Sequence, residues 1–498
     1  MSVSASLPLS GKEAPMYSRV RVGGRFSSCG KARCRSGHGY AGPMAQRRQR
    51  LEPAGIFGLG RIFPGCGGAL PGRGMTAALR SALWLGNNAA ANAGGRIRQR
   101  FFKLRRAWWS LVLLPAFAGP TPAAAEDLLA TLQFQGFVTQ GLVVTDRNNF
   151  FGPSSSGGGS LQFTEVGVNA SLRPRERLLI SAQVLGRRAG SDGRDARPKL
   201  DHGVVDYQIY NSQRRSVGLQ AGRFKNPFGF YNQTRDMSFT RPSILLPQSI
   251  YFDRTRSLGL ASDGLTVYGE ERIPTGTVRA QVGVGRPQTS EDLENALRLD
   301  EQSGSLDGRT SVIGQLLYEH DGGRFLAALS AARVRARFDS GRTGPGDADF
   351  RFEPWIVSLQ YNEENWSLTS EFALRRSSLQ GLDFEPANFD ITGESWYVQY
   401  SRRFMTDWQW LVRYDVLYLD RGDRSGRDFE SAGFGPAHSR FARDLTFGLQ
   451  WRLHPQILLA AEYHNVDGTG WLPGKDNPDA GDTSRRWNMF LLQTSLRF

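Results

Sequence analysis

Beyond residue 126, apolar and polar residues alternate one for one in short stretches, repeatedly, to the carboxyl terminus. Trp355, Val357, Leu359 and Tyr361 alternate with Ser358, Gln360 and Asn362. Trp408, Trp410, Val412, Tyr414, Val416 and Tyr418 alternate with Gln409, Arg413 and Asp415, and Leu445, Phe447, Leu449, Trp451 and Leu453 with Thr446, Gln450 and Arg452. Successive side chains of a strand point to opposite faces, so a period of two predicts strands with one apolar face. The pattern places strands near 130–144, 162–173, 177–187, 202–211, 215–224, 263–271, 276–286, 309–320, 324–337, 352–362, 365–376, 394–405, 408–420, 443–454, 457–466 and 488–498, sixteen in all. Their connections alternate too. Tight links at 174–176, 212–214, 273–275, 321–323, 363–364, 406–407 and 455–456 take turns with long segments rich in Gly, Asp and Arg.

Segregated loop lengths and a Trp-rich apolar face fit a sheet whose apolar side meets lipid, with short turns at one end and long loops at the other. In hydrocarbon every N–H and C=O must be paired, so such a sheet must close on itself. The expected fold is therefore all-β: a transmembrane antiparallel β-barrel of about sixteen strands, wide enough for an aqueous channel. By parity Phe490, Leu492, Leu496 and Phe498 face lipid while Gln493, Ser495 and Arg497 face water. This last strand resembles the terminal strand of outer-membrane β-barrels, whose final aromatic residue is part of the signal read by the barrel-assembly machinery.

The net charge of +15 suggests a nucleic-acid partner until its distribution is read. Up to Ala125 there are 19 Lys and Arg against Glu13 and Glu52, which leaves 43 basic and 45 acidic residues in the remainder. The basic character belongs to a leader, and no nucleic-acid partner is expected. Cys29, Cys34 and Cys66 all lie in it, so nothing after Ala125 offers a disulfide or a thiolate site. Within the leader, Arg96, Arg98, Arg100, Lys103, Arg105 and Arg106 precede a short apolar run, Ala107 to Gly119, and Pro120 to Ala125 ends in an A-x-A-like cleavage site. This is the order of a signal peptide over 96–125, too short for a membrane-crossing helix. Residues 1–95 read as a disordered basic extension, and a translation start near Met75 would bring the signal to the amino terminus. The mature barrel is expected from 126 to 498, in the outer membrane of a Gram-negative bacterium.

The longest connection, Lys225 to Ser262, follows the fifth predicted strand and is too apolar for a loop in solvent. Leu245, Leu246, Ile250, Tyr251 and Phe252 are expected to pack on the inner wall and so project the loop's polar residues into the pore; a helical turn is expected within 233–239. Placement outside the barrel as a partner-binding loop is the alternative. At its start stands Gly222-Arg223-Phe224-Lys225-Asn226-Pro227-Phe228-Gly229. This run resembles the Gly-x-Phe-Lys-x-Pro-Phe-Gly segment of the phosphate-selective porin O and P family, which implies a sixteen-stranded anion channel. Phosphate selectivity itself is not carried over, since Lys199, Lys225 and Lys475 are the only lysines after Ala125. In general porins the loop at this position folds inward and narrows the barrel.

Within the loop, Lys225, Arg235, Arg241, Arg254 and Arg256 outnumber Asp236 and Asp253. Arg333, Arg335 and Arg337 share one strand face, expected to be the lumen, with outward placement expected only if the row clears the hydrocarbon and meets lipopolysaccharide; Arg279 and Arg413 are expected to join from the wall, and cationic side chains at a constriction favour anions. Alternatively these arginines pair with lumenal carboxylates such as Glu371, Asp415 and Glu462, leaving little selectivity. The leading expectation is passive diffusion of small hydrophilic solutes or ions with a mild anion preference and no cofactor or metal. Expected partners are outer-membrane lipid and lipopolysaccharide, the assembly machinery and small anions, with a homotrimer as the candidate assembly. A surface adhesin or receptor barrel, using loops 381–393, 421–442 and 467–487, is the second reading. An outer-membrane hydrolase is the third, and weaker, because His202, His320, His438, His454 and His464 stand in no catalytic spacing.

Overall fold

The computed structural model describes residues 130–191, 196–342, 344–383 and 387–498. The expected extension, signal peptide, cleavage site and cysteines lie outside the described residues. Sixteen strands form one closed antiparallel barrel in which each strand pairs with its sequence neighbours and the last pairs with the first. They are β1 Gln133–Thr145, β2 Ser160–Arg175, β3 Leu178–Ala189, β4 Lys199–Asn211, β5 Arg215–Lys225, β6 Ala261–Ile273, β7 Gly276–Pro287 and β8 Gly304–His320. The second half continues with β9 Phe325–Ser340, β10 Ala348–Asn362, β11 Trp366–Gln380, β12 Phe389–Phe404, β13 Trp408–Tyr418, β14 Phe441–His454, β15 Ile457–Gly468 and β16 Arg486–Arg497. Each expected strand is present. From β8 to β12 the strands run three to five residues further toward the long-loop end than the alternation indicated. Charged residues interrupt the apolar pattern there, but the backbone ladder continues and raises the wall above the apolar band.

Closure depends on the two chain ends of the barrel. β1 and β16 pair from Phe137↔Arg497 to Thr145↔Met489, and below that ladder the Gly136 N–H donates to the Phe498 carbonyl at 2.9 Å while the Phe498 N–H donates to the Gly136 carbonyl at 3.0 Å. A side chain at Gly136 would collide with the Phe498 ring, so glycine is what lets the last aromatic lie flat on the seam. The parity expectation holds on the outside: Phe490, Leu492, Leu496 and Phe498 are exposed on the outer surface. At the short-turn end of β10–β14 the outward aromatics touch ring to ring, with Tyr361–Trp366, Trp366–Tyr400 and Tyr400–Trp410 centroids at 5.6, 5.7 and 5.3 Å and Trp408 stacked on Trp451 at 4.9 Å. Such rings, apolar in body with a polar edge, suit a membrane–water interface.

The inside differs from the expected open channel. Toward the long-loop end the lumen holds three apolar clusters. One joins Val143, Phe150, Phe163 and Leu491 to Ile244, Leu245 and Trp471; the second joins Val334, Phe338 and Phe350 to Leu258, Leu293 and Leu299; the third, central one joins Phe224, Ile313, Ile356 and Tyr397 to Phe228, Leu246 and Tyr251. Gln493 and Ser495, expected to face water, are buried. The Thr139 hydroxyl donates to the Ser495 hydroxyl at 3.1 Å and is paired with that of Ser238 at 2.9 Å. The chain fills much of the barrel's width with its own loops.

Candidate pore constriction

Between β5 and β6 the chain enters the lumen and crosses it. Asn226 and Asn232 close the neck: the Asn226 N–H donates to the Leu260 carbonyl at 3.0 Å, and the Asn232 amide to the Gly259 carbonyl at 2.8 Å. Gly229 then turns with φ +61, a left-handed conformation that spares glycine the usual steric cost, and any side chain there would meet the Tyr251 hydroxyl. From that turn the Gly229 N–H donates to Ser330 on β9 at 3.1 Å and the Phe230 N–H to Glu371 on β11 at 2.9 Å. A 3-10 turn, Ser238–Thr240, lies against β1 and β16; it begins near the end of the stretch expected to turn. Further on, the N–H groups of Ile244 and Leu245 both donate to Glu462 on β15, the second at 3.1 Å. Because β15 stands nearly opposite β5 and β6 in a ring of sixteen, the loop spans the whole bore. It returns past β11 and β13, where Arg375 donates to the Ser249 carbonyl at 2.5 Å and the Ser249 N–H to Asp415 at 3.2 Å, and ends in a short helix, α1 (Arg256–Leu260).

Four of the ten expected pore cations, Lys225, Arg235, Arg241 and Arg256, meet in one buried group. The Glu165 carboxylate on β2, fully buried, receives Arg187 at 3.0 Å and Arg241 at 3.0 Å. Arg187 also reaches Asp253 at 2.8 Å, and Arg235 and Arg256 approach Asp253 at 3.7 and 3.8 Å. Asp236 pairs with Arg256 and with Lys225, and Lys225 also reaches Asp201 at 2.5 Å. Arg254 lies beside this group, half-buried. Four of these arginines surround a cavity of about 10 Å³, room for about one water molecule. Buried charges are costly unless paired; Glu165, Asp236 and Asp253 each face at least two cations, and Asp201 faces Lys225 and accepts from the Gln183 amide at 2.8 Å.

The remaining candidates take other places. Glu371, 0 % exposed, accepts from the Ser358, Tyr251 and Tyr397 hydroxyls at 2.6, 2.7 and 2.9 Å and pairs with no arginine among the described residues. Arg413 is buried against the Ser243 hydroxyl at 3.1 Å. Arg279 does face the lumen, but near the short-turn end, paired to Glu270 at 3.0 Å and Glu319 at 3.2 Å. Pairing with Glu371, Asp415 and Glu462 is thus not how the cations are balanced: those three anchor the loop, and Glu165, Asp201, Asp236 and Asp253 balance the charge. Glu165, Arg187 and Asp201 were missed by sequence reasoning, although period-two parity along β2 and β3 marks Glu165 and Arg187 as inward. His464 points inward, 2.8 Å from Asp444 and 3.3 Å from Glu462.

The row Arg333, Arg335 and Arg337 contradicts its expected placement. On β9 the buried, inward residues are Val334, Ala336 and Phe338, packed on Leu293 and Leu299, so the three arginines point out of the barrel. The reason is the apolar partner set: the neighbouring loop 288–303, with its helix α2 (Glu291–Ala296), fills this side of the lumen with leucines and demands the apolar parity inside.

The interior is least filled along β4–β8, where Val204, Gln220, Gln281 and Gln315 stay half-buried. There the exposed Gln233 of the loop donates to Gln281 at 3.0 Å. At the mouth, loops from opposite walls meet, with the Lys475 ammonium 2.8 Å from Asp292.

No protein-family model matches the sequence, and no curated protein matches it. Similar solved structures include an anion-selective porin from Comamonas acidovorans, at 12 % identity and TM-score 0.46 over 74 % of this chain and 99 % of that one. The outer membrane channel DcaP of Acinetobacter baumannii is similar at 12 % and 0.48 over 74 % and 97 %. OprB of Pseudomonas putida is similar at 10 % and 0.46 over 75 % and 96 %. The barrel described above rests on this chain's own strand register.

Proposed function

We propose that the chain is an outer-membrane porin that lets small hydrophilic solutes or ions diffuse passively, with the short turns periplasmic and the long loops external. The closed sixteen-stranded barrel with an apolar outer face and a charged, loop-crossed interior carries this reading. Passage would follow the β4–β8 arc, past Gln233, Gln281 and Arg279, and the fill of the rest of the bore makes the conductance small. A mild anion preference is part of the proposal. The loop's five cations outnumber Asp236 and Asp253 by three, and adding Arg187, Glu165 and Asp201 from the wall leaves an excess of two positive charges.

Single-channel recording of the purified mature chain in planar bilayers tests it. Small conducting steps are expected, with a reversal potential under a KCl gradient that favours chloride; potassium preference would remove the anion claim. Absence of conducting steps from inserted protein would replace the porin reading with that of a receptor barrel, for which the loops meeting over the mouth at Lys475 and Asp292 speak.

A further inference from the structure

The outer ends of β7 to β10 carry arginines that the pore does not use. Arg309, Arg335 and Arg351 are direct cross-strand partners on three adjacent strands. Arg286 continues the row on β7, one outward position above Val284, whose partner Val312 is in turn paired with Arg333. All four side chains are exposed on the outer wall. Neighbouring strands are about 4.8 Å apart, so the row sets four guanidiniums side by side, and like charges directly opposite one another repel.

Their surroundings do not relieve this. The rows above and below are balanced: Arg337 meets Asp347 at 2.9 Å and Asp339 at 3.2 Å, Arg333 meets Glu353 at 2.8 Å, and Arg376 meets Asp390 at 2.7 Å. Within the row, Arg309 reaches Asp339 at 3.3 Å. Among the described residues, Arg286, Arg335 and Arg351 have no carboxylate within ion-pair distance. The carboxylates of the patch border the row rather than stand in it, and Asp263, the β6 partner of Arg286, is held by Arg223 at 2.7 Å.

Below the row the wall is apolar at once on β7 and β8, with the exposed Val284 and Val312, while on β9 and β10 the Arg333–Glu353 pair intervenes before the 56 % exposed Trp355. A ligand that satisfies both parts carries phosphates, which guanidinium forks bind in bidentate fashion, joined to acyl chains that lie on the valines and Trp355. We propose that Arg286, Arg309, Arg335 and Arg351 form a docking site for the phosphorylated headgroup of a glycolipid of the outer leaflet. The proposal rests on the outer-membrane reading above and assigns the row to lipid rather than to the permeating solute.

The test uses the full mature chain, refolded in neutral detergent and titrated by native mass spectrometry with diphosphorylated lipid A and with its dephosphorylated form. The wild type is expected to hold the diphosphorylated lipid about tenfold more tightly or better. Arg335→Gln with Arg351→Gln is expected to close most of that gap, and Arg402→Gln, at the short-turn end, to leave it intact. Equal binding of the two lipids by the wild type, or an unchanged gap in the double variant, overturns the site. So does displacement of the lipid by an equimolar amount of inorganic phosphate, which would mark a general anion site. Insertion into bilayers, read in parallel, separates the two readings: a chain that inserts but shows no phosphate dependence sinks this site alone, while one that never inserts sinks the membrane reading.

Discussion

The guanidiniums around Glu165 and those along the outer ends of β7–β10 are the same chemical group in two environments. Inside, Arg187, Arg235, Arg241 and Arg256 share Glu165, Asp236 and Asp253 in a space with room for about one water molecule. Outside, Arg333, Arg337 and Arg376 pair with carboxylates on the exposed outer wall, the side chains of each pair between about a quarter and two thirds exposed. Coulomb attraction grows as the dielectric falls, and so does the penalty for an unpaired charge. The inner group should therefore fix the third loop, and the outer pairs should add little to stability.

The sharpest break of this comparison is Glu165→Gln, which leaves two guanidiniums buried without their shared carboxylate. Loss of one partner from a buried pair costs about 3–5 kcal/mol, so this variant is expected to unfold at clearly lower denaturant concentration and to conduct with larger, noisier steps as the loop loosens. An unchanged unfolding midpoint would mean that the inner group is no more tightly coupled than a surface pair. Next in size is Tyr251→Phe. It removes the hydroxyl that donates to Glu371 at 2.7 Å and accepts the Tyr231 N–H at 3.1 Å. Glu371 keeps the Ser358 and Tyr397 hydroxyls, but the Tyr231 N–H loses its acceptor, which costs about 1–3 kcal/mol and is measurable in the same unfolding experiment.

For the outer set, Arg333→Gln breaks the 2.8 Å pair with Glu353. An exposed pair is worth about 0–1 kcal/mol, so the unfolding midpoint should barely move; a loss as large as that of Glu165→Gln would erase the distinction between the two environments. The smallest effect concerns the external loops. Burial, outweighing its hydrogen bond to Thr483, holds His438 below the usual histidine value. A depressed histidine stabilises the fold fully above the unfolded value of about 6.5 and loses that contribution as pH falls through the folded value. Protection against hydrogen exchange across 469–485, where the Thr469 N–H donates to the His438 carbonyl at 2.8 Å, should fall between pH 7.5 and pH 5 relative to the intrinsic exchange rate at each pH, and His438→Gln should remove that fall.

The two environments also show how far local pattern reaches. Parity along β16 put Phe490, Leu492, Leu496 and Phe498 on the outside correctly, because a strand that meets lipid must keep its apolar side there over its whole length. The same logic failed on β9, where Arg333, Arg335 and Arg337 were placed inside. Above the apolar band the outer face is exposed, and it tolerates arginine. The inner face at that height meets Leu293 and Leu299 from a loop some forty residues upstream, and only that contact selects Val334, Ala336 and Phe338 for the interior. Likewise the loop's apolar residues announced that it packs inward, but its counter-charges, Glu165, Arg187 and Asp201, come from strands far off in sequence.

Alternation, loop lengths and the terminal aromatic strand were enough to determine a closed sixteen-stranded barrel, because hydrogen bonding and an apolar surround act on every strand alike and leave a period-two record in each. The filling of the bore, the pairing of its charges and the outward turn of the β9 arginines were decided by tertiary structure alone. Those outcomes depend on which residues a crossing loop meets on the opposite wall, and local periodicity carries no trace of such a meeting.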